Sequence, residues 1–344
     1  MNFSLGNHIM FLYMSNTKKR KETATGLNRT KKKHGLKHFP TYFPSEKEKE
    51  IICNKLNRTT SDDLVVEYNK LKNLSCLDIK KKSAETRIGN KIVDYFTLKE
   101  RLHTAGQQKI DFYTFWKHRA YFKKIPYVQK MLEFYESRDT DEICKFKYIF
   151  NLYFSSISIF RPLMAMELYC KVSARRVLDF TMGWGGRLLG AHVLNLESYI
   201  GIDLNTELRL PYSKMVSFLR EREKDSLQKK PTEIQLLFKD ALHVDYSTLD
   251  YDTVFTSPPY YDYEEYRHMK KYDWKKEFYD PIIKTTWKYL KKNGHYCLNV
   301  PEDIYRTVCV PILGESQGKH ILKKKKRSKN AKYKEFIYIW KKVE

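Results

Sequence analysis

The residues best suited to chemistry form one tetrapeptide, Ser257-Pro258-Pro259-Tyr260, directly after an apolar strand-like run. Proline fixes the backbone and has no N–H, so the carbonyls beside the prolines are left to accept hydrogen bonds from another molecule. The serine hydroxyl offers a further acceptor, and the tyrosine ring offers a stacking face. This equipment suits a planar group that carries an exocyclic amine. A Pro-Pro turn without function is the alternative, and ligand-type residues at three other strand ends disfavour it.

A glycine-rich loop follows an earlier strand-like run. The loop reads Asp179-Phe180-Thr181-Met182-Gly183-Trp184-Gly185-Gly186-Arg187 and leads into an apolar helical segment. Glycine permits a sharp strand-to-helix turn and lets the backbone approach a ligand closely. The loop lacks the lysine of a GxxxxGK[ST] phosphate loop, so an ATPase is disfavoured. Taken alone, such a loop fits any nucleotide-like ligand.

Two further strand-like runs end in acidic residues. Asp203 ends the second run, where a carboxylate typically accepts hydrogen bonds from ribose hydroxyls. The third run ends at Asp240-Ala241, a suitable position for contact with the edge of an adenine ring. These residues and the glycine loop together predict a nucleoside-containing ligand.

The motifs require a sheet that brings the strand ends together. After about residue 150, short apolar runs alternate with helical segments, which predicts an α/β fold with a mainly parallel sheet. The predicted strands are RRVLDF, SYIGIDL, IQLLFKD, DTVFTS, HYCLNV and EFIYIW. Segments 320–327 and 333–340 are expected to pair as a hairpin. Ligands of such sheets bind beyond the carboxyl ends of the strands.

The 344 residues divide into three predicted parts. Residues 1–40 form a basic arm whose lysines, Lys31 and Lys32 among them, are expected to grip a polyanion; a tail that only aids solubility is the alternative. Residues 41–150 read as mainly helical, and we assign target recognition to them. Residues 151–344 form the predicted catalytic domain.

A strongly aromatic and basic stretch lies within the helical part. Its interleaved rings and cations are Phe112, Phe115, Trp116, Arg119, Tyr121, Phe122, Lys123 and Lys124. Aromatic faces stack on exposed bases while cations meet phosphate, so Arg119, Lys123 and Lys124 are candidate nucleic-acid contacts. A helix that buries these rings in its own core is the alternative.

The amino-acid composition limits which classes of protein this chain can belong to. The chain has 65 Lys and Arg against 41 Asp and Glu, a formal charge of +24, which predicts a polyanionic partner. A hydrophobic fraction of 42% excludes a wholly disordered basic protein. No apolar run reaches the roughly 18 residues of a membrane span. The six cysteines form no CxxC pair or Cys/His cluster, which predicts free thiols, no metal site and an intracellular location, cytoplasmic or nuclear.

The motifs GWGG, GID, DA and TSPPY, in this order, resemble those of the S-adenosylmethionine-dependent amino-methyltransferases that modify adenine N6 or cytosine N4 in DNA. The stretch GWGGRLLGA is similar to that of solitary enzymes of phages and large DNA viruses, which adds a viral replication compartment to the expected locations. Phe160-Arg161-Pro162 is similar to the family's element that helps close over the cofactor. The resemblance covers about residues 150–344. It implies a Rossmann-like seven-stranded methyltransferase sheet with one antiparallel strand.

The resemblance also assigns roles. The residues that would embrace the methionine part of the cofactor are Asp179, Thr181, Gly183 and Gly185, with Phe160 and Pro162 closing over it. Asp203 would hold the ribose, and Asp240 with Ala241 the adenine. The target base would be flipped from the duplex into the Ser257-Pro258-Pro259-Tyr260 motif and stacked on Tyr260 or Tyr261.

The sequence departs from the family pattern at two places. Phe180 and Thr181 follow the first acid where proline and a small residue are frequent, and Ser257 stands where adenine-modifying enzymes often have Asp or Asn. Serine is commoner among cytosine-N4 enzymes, which tilts the expected base. The expected enzyme methylates DNA, with RNA as the less favoured substrate. An inactive nucleic-acid-binding subunit is a third possibility, and the intact loop and tetrapeptide disfavour it. The oligomeric state and any partner nuclease are left open.

Overall fold

A computed structural model describes residues 39–83, 86–106, 108–137, 140–154, 157–223, 230–259, 264–265, 273–322 and 335–343. Lys31, Lys32 and the rest of the predicted arm up to residue 38 lie outside the described residues, as do Tyr260 and Tyr261. The described residues all belong to one compact unit, Phe39–Glu344.

The first part of the described chain is helical, as predicted. Its helices are α1 (Glu46–Leu56), α2 (Ser61–Lys72), α3 (Cys76–Lys82), α4 (Asn90–Arg101), α5 (Phe112–Lys117), α6 (Arg119–Phe122), α7 (Pro126–Glu136) and α8 (Glu142–Tyr153). Reciprocal capping boxes begin two of them: Thr60 with Asp63 starts α2, and Ser75 with Asp78 starts α3. Such boxes satisfy N–H groups that the first helical turn leaves without partners.

In the described part of the chain, seven strands form one mixed sheet. The strands found there are β1 (Ala105–Gly106), β2 (Arg176–Asp179), β3 (Ser198–Ile202), β4 (Glu233–Leu237), β5 (Thr253–Thr256), β6 (Glu264–Glu265), β7 (His295–Asn299), β8 (Gly318–Ile321) and β9 (Phe336–Lys341). The sheet order is β4-β3-β2-β5-β7-β9-β8, and β9 runs antiparallel to both of its neighbours. The other pairs are parallel. The predicted Rossmann-like α/β class is therefore confirmed. The last two strands pair antiparallel as the predicted hairpin requires, and its remaining residues, 323–334, lie outside the described residues.

Helices cover both faces of this sheet. They are α9 (Pro162–Val172), α10 (Gly186–Val193), α11 (Arg209–Glu223), α12 (Asp280–Tyr289), α13 (Glu302–Ile304) and α14 (Val310–Leu313), with π-helical turns Trp274–Tyr279 and Tyr305–Cys309. Side chains alternate between the faces, because Val177 and Tyr199 enter one hydrophobic cluster while Leu178 and Ile200 enter the other. The first cluster also contains Leu71 and other apolar residues of α2 to α4, so these helices share a core with the sheet.

Two expectations from the sequence are corrected here. Cys76 of α3 and Cys170 of α9 form a disulfide between Cα atoms 5.9 Å apart, so the expectation of six free thiols is wrong for this pair. In the aromatic stretch, Phe112, Phe115 and Phe122 are fully buried, which confirms the core alternative and excludes base stacking on these three rings. Within the described ranges, no helix is both long and apolar enough to cross a membrane.

Candidate active site

The site lies where the strand order reverses. From β2 the chain adds β3 and β4 on one side of the sheet, and it then returns to place β5 and β7 on the other side. The crevice beyond the carboxyl ends of β2 and β5 is the usual ligand position of such sheets. The hydroxyls of Thr181 and Thr256 are hydrogen-bonded to each other across it. The glycine loop and the start of the serine-proline motif are therefore neighbours.

The glycine loop turns with two residues in the left-handed region. Gly183 has a φ of 59° and Gly185 a φ of 89°, conformations that glycine adopts at little cost. Gly186 is needed for a different reason, because a Cβ there would stand 1.8 Å from the Phe160 carbonyl oxygen. The segment from Phe160 to Pro162, predicted to lie near the cofactor, thus packs directly on the start of α10.

A buried ion pair holds the loop from inside. Arg187 donates through Nε to Asp179 Oδ2 at 2.6 Å and through Nη2 to Asp179 Oδ1 at 3.1 Å. Its Nη2 also donates to the Thr181 carbonyl, and the Tyr199 hydroxyl donates to Asp179 Oδ2 at 2.6 Å. Asp179 is fully buried and Arg187 is only 4% exposed. The role of Arg187 was not predicted from the sequence, although a charged residue within an apolar helical run indicates a buried partner.

Asp203 joins the loop to the end of β3. Its Oδ2 accepts the Gly183 N–H and its Oδ1 accepts the Asn205 N–H, each at 2.9 Å. Burial raises the pKa of this carboxyl to about 6, against the two N–H donors, which lower it. Each carboxylate oxygen has a second lone pair, so the group can still accept a hydroxyl from a ligand.

The adenine residues predicted from sequence follow β4. Asp240 Oδ1 accepts the Leu242 N–H at 3.1 Å and so caps a short 3₁₀ turn, Ala241–His243. Ala241 is 6% exposed. The Asp203 N–H donates to the Leu237 carbonyl at 3.1 Å, which ties the ends of β3 and β4 together. The roles of Asp240 and Ala241 toward a ligand stay predictions.

The serine-proline motif is supported from the next strand and from a helical turn. The Ser257 hydroxyl donates to Asn299 Oδ1 at 2.9 Å, and Asn299 Nδ2 donates to the Phe336 carbonyl, also at 2.9 Å. The buried Tyr279 hydroxyl donates to the Pro259 carbonyl at 3.4 Å. Sequence reasoning missed Asn299 and Tyr279, because no local pattern links either residue to Ser257-Pro258-Pro259.

The helical part of the chain reaches the segment that follows this motif. Ala105 pairs with Glu265 and Gly106 with Glu264, so β1 and β6 form a two-stranded antiparallel sheet. β6 begins only five positions after Pro259. This pairing attaches a turn of the helical region to the chain that leaves the candidate active site.

Two of the predicted nucleic-acid contacts, Arg119 and Lys123, have partners within the protein. The Arg119 guanidinium lies 4.4 Å from the centre of the Trp116 ring and donates to the Trp116 carbonyl at 3.2 Å. Lys123 is paired with Glu142, and Lys124 is exposed. Their contact with nucleic acid stays a prediction. Across the described ranges there is no group of three or more His, Cys, Asp and Glu side chains that would hold a metal ion.

Comparison with known proteins gives only weak likenesses. No family model and no curated protein matches the chain. Similar solved structures include an rRNA methylase from Streptococcus thermophilus (14% identity, 54% of this chain and 99% of that one, TM-score 0.32). A putative RNA methyltransferase from Pyrococcus horikoshii (15%, 53% and 83%, TM-score 0.35) and a putative methyltransferase from Escherichia coli (13%, 55% and 90%, TM-score 0.33) are also similar. Identities and TM-scores this low carry no weight for the activity of this chain.

Proposed function

We propose that this chain is an S-adenosylmethionine-dependent methyltransferase whose substrate is an exocyclic amine, cytosine N4 or adenine N6, of a flipped base in DNA. The observation that carries the proposal is the meeting of two loops at the switch point of the sheet. A glycine loop tied to Asp203 lies against the strand end that leads into Ser257-Pro258-Pro259, and the Thr181 and Thr256 hydroxyls join them.

The residues at β2 and β3 fit an adenosine-bearing cofactor. The Asp203 carboxylate retains lone pairs for ribose hydroxyls, and the open turn at Gly183 has no atom closer than 3.8 Å to the position of a Cβ. Asp179 is fully buried and bonded to Arg187 and Tyr199, so we assign it to holding the loop in shape. When bound, S-adenosylmethionine supplies an electrophilic methyl group on its sulfonium.

The chain's own contribution to the reaction is to hold and polarise the amine. The lone pair of a base amine is delocalised into the ring, so the nitrogen is a poor nucleophile until its N–H groups are engaged. Ser257 and the Pro258 carbonyl would accept those N–H groups and hold the nitrogen in line with the donor methyl, so positioning supplies much of the rate. Tyr260 or Tyr261 would stack on the base.

We assign nucleic-acid binding to the basic parts of the chain. The formal charge of +24 suits a polyanion, and phosphate contacts supply affinity that is independent of base sequence. We further propose that residues 41–150 carry target recognition, which the pairing of β1 with β6 beside the serine-proline motif supports. Residues 1–40 would add a grip that is independent of sequence.

Methyl transfer from cofactor carrying a tritiated methyl group tests the proposal. The full-length protein is incubated with duplex DNA or with RNA, and the label in the nucleic acid is counted. We expect label in DNA, a strong loss of it in Ser257→Ala, and no change in Ser217→Ala, which alters an exposed serine on α11. Label in RNA alone would reassign the substrate, and label in neither would refute the proposal.

A further inference from the structure

Ser257 begins a series of side-chain hydrogen bonds that runs across the sheet. Its hydroxyl donates to Asn299 Oδ1, and Asn299 Nδ2 donates to the carbonyl oxygen of Phe336, both at 2.9 Å. Asn299 ends β7 and is 2% exposed, whereas Phe336 begins β9. The antiparallel pairing of β7 with β9, with Asn299 opposite Ile337, fixes this arrangement.

The donor and acceptor properties of the Ser257 hydroxyl, the Asn299 amide and the Phe336 carbonyl allow only one direction of donation in this series. A backbone carbonyl oxygen only accepts hydrogen bonds, so the group of Asn299 that faces Phe336 must be the NH₂ group. The other group, the amide oxygen, then faces Ser257 and can only accept. The single hydroxyl hydrogen of Ser257 is therefore used, and what remains on its oxygen is acceptor capacity.

We propose that Asn299 is a positioning residue that holds Ser257 as a hydrogen-bond acceptor and so selects an amine over a carbonyl at the target atom. This inference rests on the function proposed above. A base amine donates an N–H to a fixed acceptor, whereas the carbonyl of thymine or uracil at the same position presents a second acceptor and is rejected. Without Asn299, the hydroxyl can rotate and donate, so both the orientation of the amine and the discrimination against carbonyls are weakened, while the Pro258 carbonyl still accepts.

Kinetic measurements distinguish a positioning role of Asn299 from a purely structural one. Because Asn299 is proposed to act through Ser257, Asn299→Ala should lower kcat by about tenfold, the effect of losing one neutral hydrogen bond, with an unchanged KM for the cofactor. In the Ser257→Ala background the same substitution should change kcat less than twofold. Cys297→Ala, on the same buried strand two positions away, controls for a loosened β7 and should leave kcat unchanged.

Two kinetic results would overturn the proposal: an equal loss of kcat from Asn299→Ala with and without Ser257, or no loss in either background. A crystal structure of each protein gives a readout that does not need turnover. We expect one Ser257 rotamer, directed at residue 299, in the wild type and a redistributed rotamer in Asn299→Ala. The same single rotamer in both proteins would contradict the inference. A wild-type protein that transfers no methyl group would instead count against the proposed function, so the two failures are distinguishable.

Discussion

Replacing Arg187 by methionine should destabilise the protein strongly, because it leaves a buried carboxylate without its counter-ion. Asp179 is fully buried and accepts three hydrogen bonds, two of them from Arg187 and one from Tyr199. Removing one member of a buried ion pair typically costs about 3–5 kcal/mol. Methionine fills much of the space of the arginine stem, so a cavity adds little. We therefore expect Arg187→Met to lower the free energy of unfolding by that amount.

The double variant Asp179→Leu/Arg187→Met separates the cost of the unpaired charge from that of changed packing. Without either charge, most of the lost stability should return, so the two substitutions should be non-additive by about 2 kcal/mol or more. Denaturation in urea, followed by circular dichroism for the wild type, both single variants and the double variant, measures each value. A loss below 1 kcal/mol in Arg187→Met, or strict additivity, would show that the folded protein does not depend on Arg187 to neutralise Asp179.

Three further predictions concern ionisation and the disulfide. Ribose hydroxyls donate to the ionised form of Asp203, whose pKa is about 6. The affinity for S-adenosylmethionine, measured by calorimetry, should therefore fall as pH falls through 6. Asp203→Asn should abolish this pH dependence. Burial and Glu207 raise the pKa of Glu100 from 4.5 to about 7, so folding disfavours its ionised form and stability falls as pH rises from 4.5 through 7. Glu100→Gln should therefore raise the free energy of unfolding at pH 8 and have little effect at pH 4, as urea denaturation would show. Cys76→Ser should lower the free energy of unfolding by about 2–4 kcal/mol. A reductant should lower the stability of the wild type by a similar amount and leave that of the variant unchanged. A wild type whose stability does not respond to the reductant would argue against the link to Cys170.

The strands and the polar residues at their ends were predictable because the information is local. Each buried strand is a short apolar run, and each run near Asp179, Asp203 and Ser257 stops at a polar residue that the parallel sheet then brings to one edge. The start of α2 has a comparable local signal, because Asp62 and Asp63 stand directly before an apolar periodic segment.

The remaining features depend on contacts between distant parts of the chain. Asn299 acquires its partner Ser257 through the parallel pairing of β5 with β7, and Phe336 through β9. Cys76 and Cys170 are 94 positions apart, and spacing alone does not pair cysteines over such a distance. The buried rings of α5 and α6 show the same limit, since alternating aromatic and basic residues suit a core helix and a nucleic-acid surface equally well.

The identity of the methylated nucleoside decides whether this protein methylates a base amine. Duplex DNA is incubated with the full-length protein and S-adenosylmethionine, digested to nucleosides and analysed by mass spectrometry, with Ser257→Ala protein as the control. We predict N4-methylcytosine or N6-methyladenine, formed by the wild type and strongly reduced with the variant. A methyl group on a ring carbon, or equal amounts of modified nucleoside from both proteins, would contradict the assignment of the serine-proline motif to amine methylation.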